Sequence, residues 1–67
     1  MSKFTVVCDG RVNSTQPTRE AAVKETGRLA RSLVGKPTYA YEDNRRIAEA
    51  YFTRSCSGGV YGEIREV

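Results

Sequence analysis

One stretch of this chain is bounded as a helix at both ends, and that bounded segment constrains the fold more than any other feature. Pro17 stands just outside it and Thr18 supplies an N-cap hydroxyl. Glu20 places a carboxylate in the first turn, at the positive end of the helix dipole. Ala21 stands where a Glu or Gln would complete a capping box, so the cap is a single one. Gly35 follows the last apolar residue and Pro37 comes soon after, a stop signal. At about 100° per residue, Ala22, Val23, Thr26, Leu29, Ala30 and Leu33 form one apolar stripe, with Glu20, Lys24, Arg28 and Arg31 opposite. Gly27, at the flank of the stripe, costs about 1 kcal/mol relative to Ala unless close packing offsets it.

Both flanks of the helix read at the period of strands. Lys3 to Ser14 predicts a hairpin about Asp9-Gly10. A two-residue loop pairs Val7 with Val12 and mixes Arg11 and Asn13 into the face of Phe4, Val6 and Cys8. A three-residue loop, Cys8-Asp9-Gly10, pairs Val6 with Val12 and leaves Phe4, Val6, Cys8 and Val12 on a face free of charge. Because a one-residue slip swaps the faces, the second register is preferred. Thr38 to Arg54 admits two readings. Residue propensity favours a helix capped by Asp43, whereas Tyr-Ala-Tyr running into a Glu-Asp-Asn cluster favours a hairpin. Taken as a hairpin with a four-residue loop at 43–46, it sets Tyr39, Tyr41, Ala48, Ala50 and Phe52 toward the helix and Ala40, Ile47 and Tyr51 outside. Ser55 to Gly59 is a turn and Val60 to Val67 a last strand, with Val60 and Ile64 on one side. The expected fold is therefore α+β, a single antiparallel sheet in the order β-β-α-β-β-β with one helix packed on one face, forming one small domain over residues 1–67.

The residue inventory narrows the chemistry. The chain has no histidine, which removes Ser-His-Asp and Cys-His nucleophile chemistry and every His-containing zinc site. Cys8 and Cys56 are too few for a four-thiolate site. Ser55-Cys56-Ser57-Gly58-Gly59 resembles a nucleophile loop in composition, but Cys56 has no base near it in sequence, and a polar hairpin loop accounts for the same residues. Glu42, Asp43, Glu63 and Glu66 read as solvated turn and edge charges. No catalytic residue, metal or cofactor is assigned, and the chain is read as not an enzyme. At 67 residues it buries only about 60 % of the surface its unfolded chain exposes, which leaves little depth for a cleft. No apolar run approaches the ~18–20 residues of a membrane span, and Met1-Ser2-Lys3-Phe4 lacks a signal-peptide pattern. The expectation is a cytoplasmic protein with reduced thiols.

Partners remain. Eleven Lys and Arg against eight acidic residues give +3, short of the excess expected of a phosphate-binding surface. Direct nucleic-acid binding through Arg and Lys with tyrosines stacking on the sheet is the alternative reading. An outer patch of Arg45, Arg46, Ile47 and Tyr51, with Arg28 and Arg31 as a second patch on the helix, has the composition of a protein contact. Pairing of two copies would widen a thin stability margin.

The opening hairpin Phe4-Thr5-Val6-Val7-Cys8-Asp9-Gly10, the helix Thr18–Val34 and the terminal strands ending Val60-Tyr61-Gly62-Glu63-Ile64 resemble, in organisation, the short β-rich, one-helix proteins that phages make to block host machinery, anti-CRISPR families among them. Such proteins share no catalytic residues to carry over. The resemblance implies a cofactor-free inhibitor acting in the host cytoplasm, where it occupies a surface of a host protein or nucleoprotein complex.

Overall fold

The computed structural model describes residues 2–67. The elements run β1 (Phe4–Cys8), β2 (Arg11–Gln16), α1 (Arg19–Ser32), β3 (Thr38–Glu42), β4 (Arg45–Arg54) and β5 (Val60–Glu66). All strand pairs are antiparallel, in the order β2-β1-β3-β4-β5, and α1 packs on one face of that sheet. The fold is the α+β arrangement β-β-α-β-β-β. Residues 45–54 are strand although their propensity favours helix. Extended, this segment satisfies its backbone against β3 on one side and β5 on the other, and it buries Ile47, Ala48, Ala50 and Phe52. Tertiary pairing of that extent outweighs the few tenths of a kcal/mol per residue that propensity supplies.

The helix ends behave as their residues dictate. Thr18 is extended at φ −134 and ψ 160, and its hydroxyl accepts from Ala21 N at 3.1 Å. Past Leu33 the chain turns through Gly35 at φ 89, a left-handed conformation that costs glycine nothing, and Gly35 N donates to Phe52 O at 2.8 Å. The buried line of α1 is Ala22, Thr26, Gly27 and Ala30; three of these belong to the expected stripe and Gly27 joins from its flank, with Val23 and Leu29 half-buried and Leu33 exposed. Thr26 is accommodated because its hydroxyl donates back to Ala22 O at 2.8 Å. The facing sheet presents Val6, Ala40, Ala48 and Ala50, so small residues meet small residues and the helix lies close. A Cβ at Gly27 would overlap Ile64 Cδ1 of β5, so a larger residue there requires the part-exposed Ile64 side chain to swing aside.

Both first registers differ from expectation, and for one reason. The β1–β2 loop is two residues, Asp9 at φ 56 and Gly10 at φ 76, the doubly left-handed turn that matches strand twist. Val7 pairs with Val12, the register then shifts, and Val6 pairs with Ser14, leaving Asn13 without an opposite number. That bulge removes Asn13 from the helix side, where Ser14 and Gln16 follow instead, while Arg11 stays on that side opposite Cys8 but is exposed at the edge strand's start. Val12 consequently lies outside, 64 % exposed, and is no part of the core. The β3–β4 loop is likewise two residues, Asp43-Asn44, with Asp43 at φ 55. Tyr41 pairs with Arg46 and Ala40 with Ala48, so Ile47 is the extra residue. The faces expected for β3 are therefore inverted: Thr38 and Ala40 are buried beneath the helix, and Tyr39 and Tyr41 point away from it. No helix among the described residues is long and apolar enough to cross a membrane.

Candidate functional site: the open face of the sheet

One helix covers one side of the sheet, and strand alternation sends the other side chains to the opposite side. On β3 these are Tyr39 and Tyr41; on β4, Arg46, Glu49, Tyr51 and Thr53; on β5, Tyr61, Glu63 and Arg65. Thr5 and Val7 of β1 and Val12 and Thr15 of β2 continue the same surface. All four tyrosines of the chain thus lie on the face that no element covers.

The site is partly preorganised. The Arg46 guanidinium stacks 4.1 Å from the Tyr39 ring centroid and 5.8 Å from that of Tyr41, and it donates to the Tyr41 hydroxyl at 3.3 Å. That hydrogen bond is the main reason the Arg46 pKa is raised, against the opposing effect of desolvation. Across the strand, Tyr51 is 49 % exposed between two shallow depressions. One, of about 240 Å³, includes Tyr39, Glu49, Glu63 and Arg65; the other, of about 470 Å³, includes Thr53, Tyr61 and Gly62. Gly62 is obligatory here, since a Cβ would overlap Tyr51 O and crowd Phe52. Arg65 donates to Glu63 at 2.7 Å, and this bond raises the Arg65 pKa. Arg46 and Arg65 are thereby matched by Glu49 and Glu63, and the charges on this face balance.

The residues expected to make contact divide. Arg46 and Tyr51 lie together on the open face. Arg45 pairs with Glu42 on the helix side of the sheet, at the turn end of the β3–β4 hairpin. Ile47, expected outside, is 3 % exposed and belongs to the core with Val6, Ala22, Ala40 and Ala48, because the bulge turns it inward. Arg28 is held by Glu25 through Nε at 2.5 Å and Nη2 at 2.6 Å, which lowers the Glu25 pKa and raises that of Arg28. Arg31 lies 5.1 Å over the Phe52 ring and shields the end of the core. The two helical arginines are engaged within the fold and are not on the tyrosine face. Tyr39 and Tyr41 are members of the site that the expected register turned inward, and Tyr61 is a member that was not among the expected contact residues.

The cysteines stand apart. Cys8 is buried, Cys56 is exposed, and neither is in a disulfide. The loop around Cys56 is closed by its own polar atoms: Ser55 Oγ accepts from Gly59 N at 3.0 Å and lies 3.0 Å from Ser57 Oγ, while Gly58 takes φ 92. Among the described residues, no group of three or more Cys, Asp or Glu converges as a metal site would require. No family model, curated protein or solved structure matches this chain.

Proposed function

We propose that this chain is a non-enzymatic interaction module that binds a protein partner through the open face of its sheet. The observation that carries the reading is the gathering of all four tyrosines on that face, around a half-exposed Tyr51 and a stacked Arg46. Tyrosine and arginine dominate contact energetics because each joins a large rigid area to hydrogen-bonding capacity. Arg46 is fixed before binding, so less rotamer freedom is lost on contact. Glu49 and Glu63 on the same face weigh against nucleic acid, whose phosphates they would repel. The organisational resemblance to phage-made blocking proteins supports an inhibitor of a host protein or nucleoprotein complex as the form this binding takes.

The test is capture from a nuclease-treated bacterial lysate by the wild-type chain and by Tyr51→Ala, Arg46→Ala and Arg11→Ala variants, each checked for an unchanged fold by circular dichroism. Tyr51→Ala is expected to weaken capture of a defined protein by roughly thirtyfold or more, as a hot-spot residue does, while Arg11→Ala, at the edge and on the other side, leaves it intact. Capture that disappears with nuclease, or that ignores Tyr51→Ala and Arg46→Ala, overturns the reading.

A further inference from the structure

The sheet has two free edges, and they are unlike. β2 is interrupted by the bulge at Asn13 and runs out at Pro17, two devices that discourage edge pairing. β5 has neither. Its ladder with β4 is unbroken from Arg54–Val60 to Ala48–Glu66, it contains no proline, and every residue in it is exposed.

The direction of its hydrogen bonds follows from the ends of that ladder. Ser55 N donates to Gly59 O at 2.7 Å, and Val67 N donates to Ile47 O at 3.0 Å. In an antiparallel pair, hydrogen-bonded and non-hydrogen-bonded positions alternate. Tyr61, Glu63 and Arg65 therefore bond to β4, while Val60, Gly62, Ile64 and Glu66 turn their N–H and C=O groups toward the empty side.

We propose that this edge pairs with the same edge of a second copy, antiparallel and two-fold symmetric about Ile64. In that register Ile64 meets Ile64, Gly62 meets Glu66, and both kinds of pair exchange main-chain hydrogen bonds, as the outward groups require. Glu63 then stands opposite Arg65 of the second copy, and Arg65 opposite its Glu63. These are non-hydrogen-bonded positions, where side chains approach most closely. Charge selects this register over its neighbours. Symmetry about Glu63 sets two carboxylates face to face, symmetry about Arg65 sets two guanidiniums face to face, and symmetry about Gly62 sets Tyr61 against Glu63 and leaves Arg65 unmatched. The helix side admits the pairing as well, because Ile64 is 41 % exposed and opens on a cleft shared with Lys24, Gly27 and Arg28. The product is one continuous sheet with both helices on one side and both tyrosine faces on the other. It does not depend on what those faces bind.

Sedimentation equilibrium of the full chain at low salt, from micromolar to millimolar concentration, tests this. A monomer–dimer equilibrium is expected. Arg65→Glu sets carboxylates opposite each other twice and is expected to weaken the dimer roughly tenfold or more. Combining Glu63→Arg with Arg65→Glu restores the opposite-charge pairs and is expected to recover the dimer to within about threefold. Glu66→Pro removes an outward N–H without touching the β4 ladder and is expected to leave folded monomer. Wild-type chain that stays monomeric at millimolar concentration overturns the proposal. So does a dimer indifferent to Arg65→Glu, or a double variant no tighter than the single one.

Discussion

The two hairpins of this sheet share a backbone device and put it to opposite use. Each turns through an aspartate in the left-handed region, Asp9 at φ 56 and Asp43 at φ 55, and each carries a bulge at the same step beyond its turn, Asn13 in one and Ile47 in the other. Asn13 lies outside, its side-chain amide donating to Arg11 O at 3.4 Å, whereas Ile47 is buried under the helix. The pair preceding each bulge differs in the same way: Val7 with Val12 in β1–β2, Tyr41 with Arg46 in β3–β4. One hairpin thus forms a quiet edge, and the other supplies both a core plug and half of the proposed contact surface. A bulge sets where the next side chains go; what stands at it determines whether the gain is burial or protection of an edge.

The largest way to break this comparison is to remove the plug. Ile47→Ala leaves a cavity among Val6, Ala22, Ala40 and Ala48 that small neighbours fill poorly, and it is expected to cost about 2–4 kcal/mol in denaturant unfolding. Asn13→Ala, at the equivalent step, is expected to stay within about 0.5 kcal/mol. Equal losses at the two positions would mean that the hairpins are equivalent in energy as well as in backbone.

These residues also show what the chain discloses about itself. The helix was legible because its signals are local: a capping hydroxyl at Thr18, a stop at Gly35 and Pro37, and an apolar stripe from Ala22 to Leu33, of which Ala22, Thr26 and Ala30 are buried. The element order was legible for the same reason. Of the sheet faces, those of Phe4, Val6 and Cys8 in β1 and of Ala48, Ala50, Tyr51 and Phe52 in β4 were legible, but those of β3, Val12 and Ile47 were not, because each depends on a bulge that shifts the phase by one residue. A signal did exist at Ile47-Ala48, where two adjacent apolar residues break strict alternation. Another lay in Thr38 and Ala40, whose small side chains match the small-residue line of α1 better than Tyr39 and Tyr41 do. Arg46 and Tyr51 were identified as contact residues from composition; five positions apart on β4, they would lie on opposite faces by strict alternation, and the bulge at Ile47 brings them to the same one. Tyr61 and the free edge of β5 depend on long-range pairing, which no local pattern encodes.

A second test asks whether the better-packed hairpin is optimal throughout. Thr38, the first residue of β3 and the partner of Cys8 in β1, is fully buried, and its hydroxyl has no hydrogen-bond partner among the described residues. An unsatisfied buried hydroxyl costs on the order of 1–3 kcal/mol, and valine has nearly the same shape. Thr38→Val is expected to raise stability by about 1 kcal/mol, measured by denaturant unfolding with an unchanged m-value. A loss instead would show that the hydroxyl is satisfied in solution and that the packing difference between the hairpins is smaller than their burial suggests.

The finest distinction lies in the turns themselves. Asp9 and Asp43 bear the same backbone demand, so replacing either with glycine relieves comparable left-handed strain and adds comparable freedom to the unfolded chain. What differs is the carboxylate. That of Asp9 makes only an exposed ion pair with Lys36 at 3.4 Å, an interaction worth little in water. That of Asp43 accepts from Lys3 N at 2.9 Å while Asp43 N donates to Lys3 O at 2.7 Å, tying the start of β1 to the far turn. Asp43→Gly is therefore expected to be less stable than Asp9→Gly by about 0.5–1 kcal/mol, the net worth of one exposed hydrogen bond to a charged group. Asp43→Asn, which keeps an acceptor oxygen at that position, is expected to recover most of the difference. If the two glycine variants unfold together, the second turn does not clamp β1, and the asymmetry between the hairpins rests on Ile47 alone.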